Sequence, residues 1–193
     1  ASFSLIVKDV HNGETVFAYD TLRQLTPASV MKTVTTATAL EILGEDYRFP
    51  TTLAYDGSIE KGLLKGNLYI KGSGDPSLGS AHFAPYHKRF LQEWISALKK
   101  VGIHKIQGAV IADESIFDTE GTSFKWVGED MGSYYGAGSY GLCVFDNLYK
   151  LGLQTGAPGS RPKLKGTEPE LSGIHFHNYL TAQQVSSDSS FIV

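Results

Sequence analysis

Residues 26–44 read TPASVMKTVTTATALEILG, and this stretch guides the interpretation of the whole sequence. Its unbroken run of alanine, valine, threonine and leucine predicts a helix over Ser29–Leu43 that Gly44 ends. Lys32 carries the only charge before the last turn of that helix. A helix that is apolar on most faces usually packs inside a protein, so we expect this helix to be buried.

The spacing Ser-x-x-Lys has little value by itself. With 18 serines and 13 lysines in 193 residues, chance alone produces about one such pair. The sequence contains four, which begin at Ser29, Ser58, Ser96 and Ser160. The last three lie in a turn, on the polar face of an amphipathic helix and in a loop interrupted by proline. Only Ser29 opens a nearly uncharged helix, so its pair with Lys32 is the candidate site.

The chemistry of this pair follows from its spacing. Side chains three residues apart on a helix share a face, which brings the Ser29 hydroxyl and the Lys32 amine together. An ammonium group carried into an apolar interior loses hydration, and this favours the neutral amine. A neutral amine beside a hydroxyl is a general base that can activate it for attack on a carbonyl group. An equally simple alternative is a serine N-cap followed by a lysine that snorkels to solvent.

The overall composition is that of an ordinary folded protein. Hydrophobic residues make up 41% of the chain and charged residues 19%, which argues against intrinsic disorder. A net charge of −3 with scattered basic residues predicts no nucleic acid partner, and no apolar run predicts a transmembrane segment. The single cysteine, Cys143, excludes an internal disulfide and a zinc ribbon. His175 and His177 have no acidic ligand close by, so we predict no metal site and no cofactor.

The element pattern predicts a mixed fold of the α/β or α+β class. Residues 2–10 and 15–19 predict a hairpin before the first helix, and the composition changes near residue 50. An amphipathic helix is predicted over Tyr86–Val101. Later segments give three predicted strands and one loop: a buried strand at Gly108–Asp113, strands at Asn147–Leu153 and Ile174–Leu180, and a loop at Gly156–Gly166.

Several longer segments share one family pattern. Pro27-Ala-Ser-Val-Met-Lys32, followed by Thr-x-x-Thr-Ala-x-Ala-Leu, resembles the active-serine segment of penicillin-binding proteins. More narrowly, the chain is similar to the D-alanyl-D-alanine carboxypeptidase/endopeptidase family of the peptidase S13 type. Further matches follow in the same order over nearly the whole chain: Tyr47-Arg-Phe49, Gly66-Asn-Leu-Tyr-Ile70, Gly72-Ser-Gly-Asp-Pro-Ser-Leu78, Ile111-x-Asp113 and Trp126–Ala137.

The resemblance implies a fold and a reaction. The fold would be the N-terminal part of a serine β-lactamase/transpeptidase-like domain at residues 1–50, with an inserted mixed α/β domain at 51–193, incomplete at its C-terminus. Ser29 would be the nucleophile that attacks the D-Ala-D-Ala bond of peptidoglycan stem peptides and cross-links, forming an acyl-enzyme. Lys32 would be the general base, and β-lactam antibiotics would acylate Ser29.

Two residues of the second half match family positions that bind substrate. Asp130 aligns with an acidic residue that recognises the free amino group of the stem peptide's diamino acid, and Tyr135 would line the same cleft. The alternative for Asp130 is a solvated loop carboxylate. Asp75, in the Gly-Ser-Gly-Asp-Pro segment, is instead predicted to close a tight turn.

Two elements of the family pattern are absent from these 193 residues. The chain has no Ser-x-Asn and no Lys-Thr/Ser-Gly, so we expect an N-terminal fragment with little or no activity by itself. The absence of Ser-Asp-Asn also argues against a class A β-lactamase. The alternative is a non-catalytic peptidoglycan-binding module. The family resemblance implies export to the periplasm, and the sequence leaves open whether the protein is a homo-oligomer.

Overall fold

The computed structural model describes residues 2–83, 89–126, 128–130 and 133–184. The chain divides into two compact units, Ala1–Arg48 and Phe49–Val193. The start of the predicted helix at 86–88, parts of the 126–137 segment and the strand-like end at 190–193 lie outside the described residues. No helix within the described ranges is long and apolar enough to cross a membrane.

The first unit begins with the predicted hairpin, which is confirmed. Strand β1 (Leu5–Lys8) pairs antiparallel with β2 (Thr15–Tyr19), and Leu5 lies opposite Tyr19. The connecting turn is closed by the Asn12 carboxamide oxygen, which accepts a hydrogen bond from the backbone N–H of Glu14 at 2.8 Å. An Asn side chain that bonds the backbone two residues later is a frequent turn device.

The first helix is also confirmed, but its predicted burial is wrong. A 3-10 turn at Ala28–Val30 leads into α1 (Met31–Leu43), and Gly44 adopts φ 80° and donates its N–H to the Leu40 carbonyl. No residue of α1 is buried. One short hairpin and one helix offer too little chain to cover apolar side chains that lie on several faces.

Two three-stranded sheets form the body of the second unit. The strands are β3 (Thr52–Tyr55), β4 (Ser58–Glu60), β5 (Leu63–Lys65), β6 (Leu68–Lys71), β7 (Lys105–Gln107) and β8 (Val110–Asp113). One sheet has the order β3-β6-β8 and the other β4-β5-β7; in each, the first pair is antiparallel and the second parallel. Leu64 and Leu68, on the central strands, are almost completely buried. The mixed sheets with few helices confirm the α+β class.

Helix α2 (Phe90–Lys100) makes its aromatic contacts through one face. Phe90 is buried, and its ring meets the rings of Trp94 and Phe145 edge to face, with centroids 4.9 and 5.7 Å away. The opposite face is polar, as the periodicity predicted. Lys99 and Lys100 lie in the last turn, where positive charge is favoured by the helix dipole.

A hydrogen-bond network around Asp56 fixes the turn before β4. The Asp56 carboxylate accepts bonds from the backbone N–H of Asn67 at 2.6 Å, from its side-chain amide at 3.0 Å and from the Tyr69 hydroxyl at 2.9 Å. These bonds, the Asn67 backbone bond first, lower the pKa of Asp56 below its ordinary value. The bond that the Tyr69 hydroxyl donates to the Asp56 carboxylate raises the pKa of Tyr69.

Three predictions for the later part of the chain need correction. The predicted buried strand is β8, which starts at Val110 and is a half-exposed sheet edge. The predicted loop at 156–166 contains the start of β10 (Lys163–Glu168), which pairs antiparallel with β9 (Lys150–Gln154). Residues 174–180 form no strand, since their apolar alternation finds no partner among the described strands.

Candidate active site

Ser29 lies in the 3-10 turn that precedes α1. The N–H of Val30 donates to the Pro27 carbonyl at 3.0 Å, which closes the turn. Ala28 adopts φ 45°, a left-handed conformation that costs free energy for a residue with a side chain. Strained backbone next to a reactive residue is a recurrent feature of active sites. No sequence signal indicated this conformation, because alanine is not a residue that usually marks a left-handed position.

Ser29 and Lys32 lie together, as their spacing predicted. The Lys32 Nζ is 3.5 Å from the Ser29 Oγ, at the long end of hydrogen-bond geometry. Catalytic hydrogen bonds are often long in the absence of substrate and shorten when it binds. Both side chains are exposed to solvent in this chain. The hydroxyl and the amine are therefore accessible from solvent.

The hydroxyl groups next to this pair form hydrogen bonds within the helix and do not bond to Ser29 or the Lys32 amine. The Thr36 hydroxyl donates to the Lys32 carbonyl at 2.7 Å, and the Thr35 hydroxyl to the Met31 carbonyl at 3.2 Å, so both are engaged with their own helix. Within the described ranges Lys32 forms no salt bridge. The Ser29 hydroxyl is therefore the side-chain partner of the Lys32 amine among the described residues.

The N-cap alternative for Ser29 is wrong. Pro27 caps the 3-10 turn and Val30 caps α1, and neither position carries a side-chain capping bond. The Ser29 hydroxyl bonds to Lys32 and not to a first-turn amide. A structural role as a helix cap therefore does not explain the serine.

Asp130 and Tyr135 lie in the second unit, on two consecutive 3-10 turns. The turns are Gly128–Asp130 and Tyr134–Gly136, and the N–H and hydroxyl of Ser133 both donate to the Asp130 carbonyl between them. Asp130 is half-buried, whereas the Tyr135 ring is exposed and stands perpendicular to the Tyr134 ring at 5.0 Å. Their part in substrate binding stays a prediction.

Asp75 closes the tight turn that the sequence predicted. Its carboxylate accepts the N–H of Ser77 at 2.8 Å and the Ser77 hydroxyl at 2.6 Å. Gly74 adopts φ 84°, and a Cβ there would lie 2.8 Å from the Phe117 ring. The segment is therefore explained by turn geometry and needs no catalytic role.

Among the described residues, the candidate metal ligands do not come together in one site. In the described part of the chain no three His, Cys, Asp or Glu side chains come together in a way that could hold a metal ion. His175 and His177 are exposed. Cys143 is half-buried and donates to the Tyr140 carbonyl at 3.2 Å, while the Asn147 side-chain amide donates to its sulfur at 3.2 Å.

The comparisons with known proteins agree with the sequence pattern. The profile of the D-Ala-D-Ala carboxypeptidase 3 (S13) family matches residues 1–191. The chain is 28% identical over 131 residues to the D-alanyl-D-alanine carboxypeptidase DacB of Haemophilus influenzae, covering 68% of this chain and 26% of that protein. It is 32% identical over 140 residues to the D-alanyl-D-alanine carboxypeptidase of an Actinomadura species, covering 72% of this chain and 24% of that protein.

The fold is similar to that of solved relatives. The crystal structure of penicillin binding protein 4 from Haemophilus influenzae matches with a TM-score of 0.71 and 28% sequence identity. The match covers 82% of this chain and 34% of the chain of that protein. A crystal structure of the same protein with a novel β-lactam matches with a TM-score of 0.59 and 26% identity, covering 83% of this chain and 32% of that one. The chain thus spans about a quarter of the length of the curated relatives it matches, 26% and 24%. It belongs to the D-Ala-D-Ala carboxypeptidase 3 (S13) family.

Proposed function

We propose that this chain supplies the nucleophile and the general base of a serine-type D-Ala-D-Ala carboxypeptidase and endopeptidase. The observation that carries the proposal is the approach of the Lys32 amine to the Ser29 hydroxyl at 3.5 Å, at the start of a helix in a chain of this family. The substrates would be peptidoglycan stem peptides and their cross-links. Because that material lies outside the cytoplasmic membrane, the protein would act in the periplasm.

The reaction would proceed through an acyl-enzyme. Lys32 would accept the proton of the Ser29 hydroxyl as the oxygen attacks the carbonyl carbon of the penultimate D-alanine. The C–N bond then breaks, the terminal D-alanine leaves with a proton on its amine, and an ester to Ser29 remains. Water hydrolyses the ester and restores the hydroxyl. The positive end of the α1 helix dipole would favour negative charge that develops near Ser29.

The second unit would act as the inserted domain that selects the substrate. The Asp130 carboxylate would pair with the ammonium group of the diamino acid in the stem peptide, since an ionised acceptor and donor form a strong hydrogen bond. The exposed Tyr135 ring would cover apolar parts of the same peptide. The half-burial of Asp130 supports this role, because partial desolvation strengthens an ionic contact.

β-Lactams would acylate Ser29 because their strained amide resembles the D-Ala-D-Ala bond. A solved relative, penicillin binding protein 4 from Haemophilus influenzae, has been crystallised with a β-lactam. The 193 residues contain neither Ser-x-Asn nor Lys-Thr/Ser-Gly, which would protonate the leaving amine and bind the substrate carboxylate. Loss of general acid catalysis alone typically costs about 10²–10⁴-fold in rate, so these residues by themselves should react very slowly.

The full-length protein tests the proposal through release of D-alanine from a stem pentapeptide. We expect release by the wild type and none by Ser29→Ala. Ser96→Ala is the matched control, because Ser96 begins a Ser-x-x-Lys pair on the exposed face of α2 and should have no effect. A protein that binds the pentapeptide without releasing D-alanine would instead be a non-catalytic peptidoglycan-binding module.

A further inference from the structure

A cavity of about 560 Å³ lies within the second unit. Its volume is within the range of small-molecule sites, roughly 300–1,000 Å³. Two tyrosines, Tyr134 and Tyr149, line it together with three charged residues, Asp146, Lys150 and Glu168. Aromatic walls with a few convergent polar groups are typical of a binding site for a polar ligand.

The charged groups of this cavity are unpaired among the residues that the structure describes. Lys150 and Glu168 lie directly opposite each other in the β9–β10 hairpin, where oppositely charged residues commonly interact. Nevertheless, neither side chain forms a salt bridge or a hydrogen bond with any of the residues that the structure describes. The Asp146 carboxylate is also without such a partner there. One ammonium and two carboxylate groups are therefore available to a ligand.

A strained turn holds Asp146 at the cavity wall. Phe145, Asp146 and Asn147 adopt φ values of 54°, 59° and 52°, a left-handed turn without glycine that costs free energy at each residue. The surrounding contacts stabilise it: the Phe145 N–H donates to the Leu78 carbonyl at 2.8 Å, and the Asn147 amide to the Gly138 carbonyl at 2.7 Å. The position of Asp146 is thus fixed before any ligand arrives.

We propose that this cavity binds a short peptide that carries a free carboxylate and two amino groups. Lys150 would bind the carboxylate, and Asp146 and Glu168 would each bind an ammonium group, so the charges of ligand and cavity would be complementary. The rings of Tyr134 and Tyr149 would cover the apolar part of the peptide. All these residues belong to the second unit, and the inference does not require that Ser29 be catalytic.

Isothermal titration calorimetry with L-lysyl-D-alanyl-D-alanine tests this inference. The full-length protein carries Ser29→Ala to prevent turnover, and we expect saturable binding. Lys150→Met and Glu168→Gln should each weaken binding by about tenfold or more, because each removes a charged hydrogen-bond partner. Lys163→Met and Glu170→Gln are matched controls; both residues are exposed, outside the cavity lining, and should leave affinity unchanged. The diacetylated peptide, which lacks both ammonium groups, should bind at least about tenfold more weakly.

Three outcomes would overturn the inference. The first is the absence of saturable binding, and the second is an equal loss in the control variants. The third is binding that Asp130→Asn abolishes and Lys150→Met leaves unchanged, which would assign the peptide to the proposed active site. Melting curves check the fold of each variant. Asp146→Asn provides an additional variant, because asparagine tolerates the left-handed conformation and removes only the charge.

Discussion

Replacing Lys32 by methionine removes the proposed general base and little else. Methionine keeps an unbranched side chain and a high helix propensity, but it has no amine. The Lys32 Nζ is the group 3.5 Å from the Ser29 Oγ, and the structure shows no second side-chain base bonded to that hydroxyl among the described residues. General base catalysis typically contributes about 10²–10⁴-fold, so acylation of Lys32→Met should slow by that factor.

The exposure of Lys32 makes the experiment easy to interpret. Lys32 forms no salt bridge with the part of the chain that the structure describes, so its replacement should change the free energy of unfolding by no more than about 0.5 kcal/mol. A loss of rate would then reflect chemistry and not unfolding. Lys32→Arg keeps a positive charge but cannot accept a proton near neutral pH, and it should be equally slow.

The assay is the second-order rate constant for labelling of the full-length protein by a fluorescent penicillin. Lys99→Met is the matched control, because Lys99 has the same spacing from Ser96 on an exposed face of α2. It should be labelled at the wild-type rate. If Lys32→Met were acylated within about threefold of the wild type, far less than a general base contributes, another group would have to activate Ser29.

Three further substitutions test other parts of the account. Asp56→Asn weakens the network in which three groups donate to the Asp56 carboxylate, so it should lower the melting temperature at neutral pH. Because those bonds lower the pKa of Asp56, their stabilisation is lost as the pH falls below the ordinary carboxyl range. The melting temperatures of the variant and the wild type should therefore converge at that low pH. Asp130→Asn should raise the KM for a stem peptide with a free amino side chain by about tenfold, without changing the KM of its acetylated analogue. Gly79→Ala places a Cβ 2.6 Å from an aromatic ring carbon and should cost about 1–3 kcal/mol of stability in a melting experiment, more than Gly102→Ala, where the space is open.

The hairpin and the helix of the first unit could be predicted because short sequence motifs within each of them determine where it turns or ends. The Asn12-Gly13 turn gives the hairpin, and Gly44 gives the end of α1. Burial of α1 could not be predicted, because burial depends on which other elements surround a helix and not on the helix sequence. The apolar composition of α1 shows what the helix can bury, whereas the described elements of the first unit, one hairpin and one helix, are too few to cover it.

The second unit shows where sequence patterns fail. The Pro/Gly/Lys composition of residues 156–166 conceals the start of β10, whose strand conformation comes from pairing with β9. Conversely, residues 174–180 alternate like a strand but have no partner strand within the described ranges. The left-handed turn at Phe145–Asn147 moves the start of β9 from the predicted Asn147 to Lys150. Asp146 and Asn147 are residue types that tolerate positive φ, and they were the signal for this turn in the sequence.

The candidate sites also differ in how far the sequence could predict them. The contact between Ser29 and Lys32 follows from three-residue spacing on a helix and could be predicted from the sequence alone. The cavity with Lys150 and Glu168 could not, because it depends on strand register and on a turn that only the folded chain reveals. Local spacing therefore predicts the contact between Ser29 and Lys32, whereas the cavity becomes visible only in the tertiary structure.

Mass spectrometric mapping of a β-lactam adduct tests the central claim most directly. The full-length protein is incubated with a penicillin, digested, and searched for the peptide that gains the mass of the intact drug. The account predicts one modified peptide, residues 26–44 or an overlapping one, with the added mass on Ser29, and no adduct in Ser29→Ala. An unmodified Ser29, or an adduct on another serine that persists in Ser29→Ala, would contradict it.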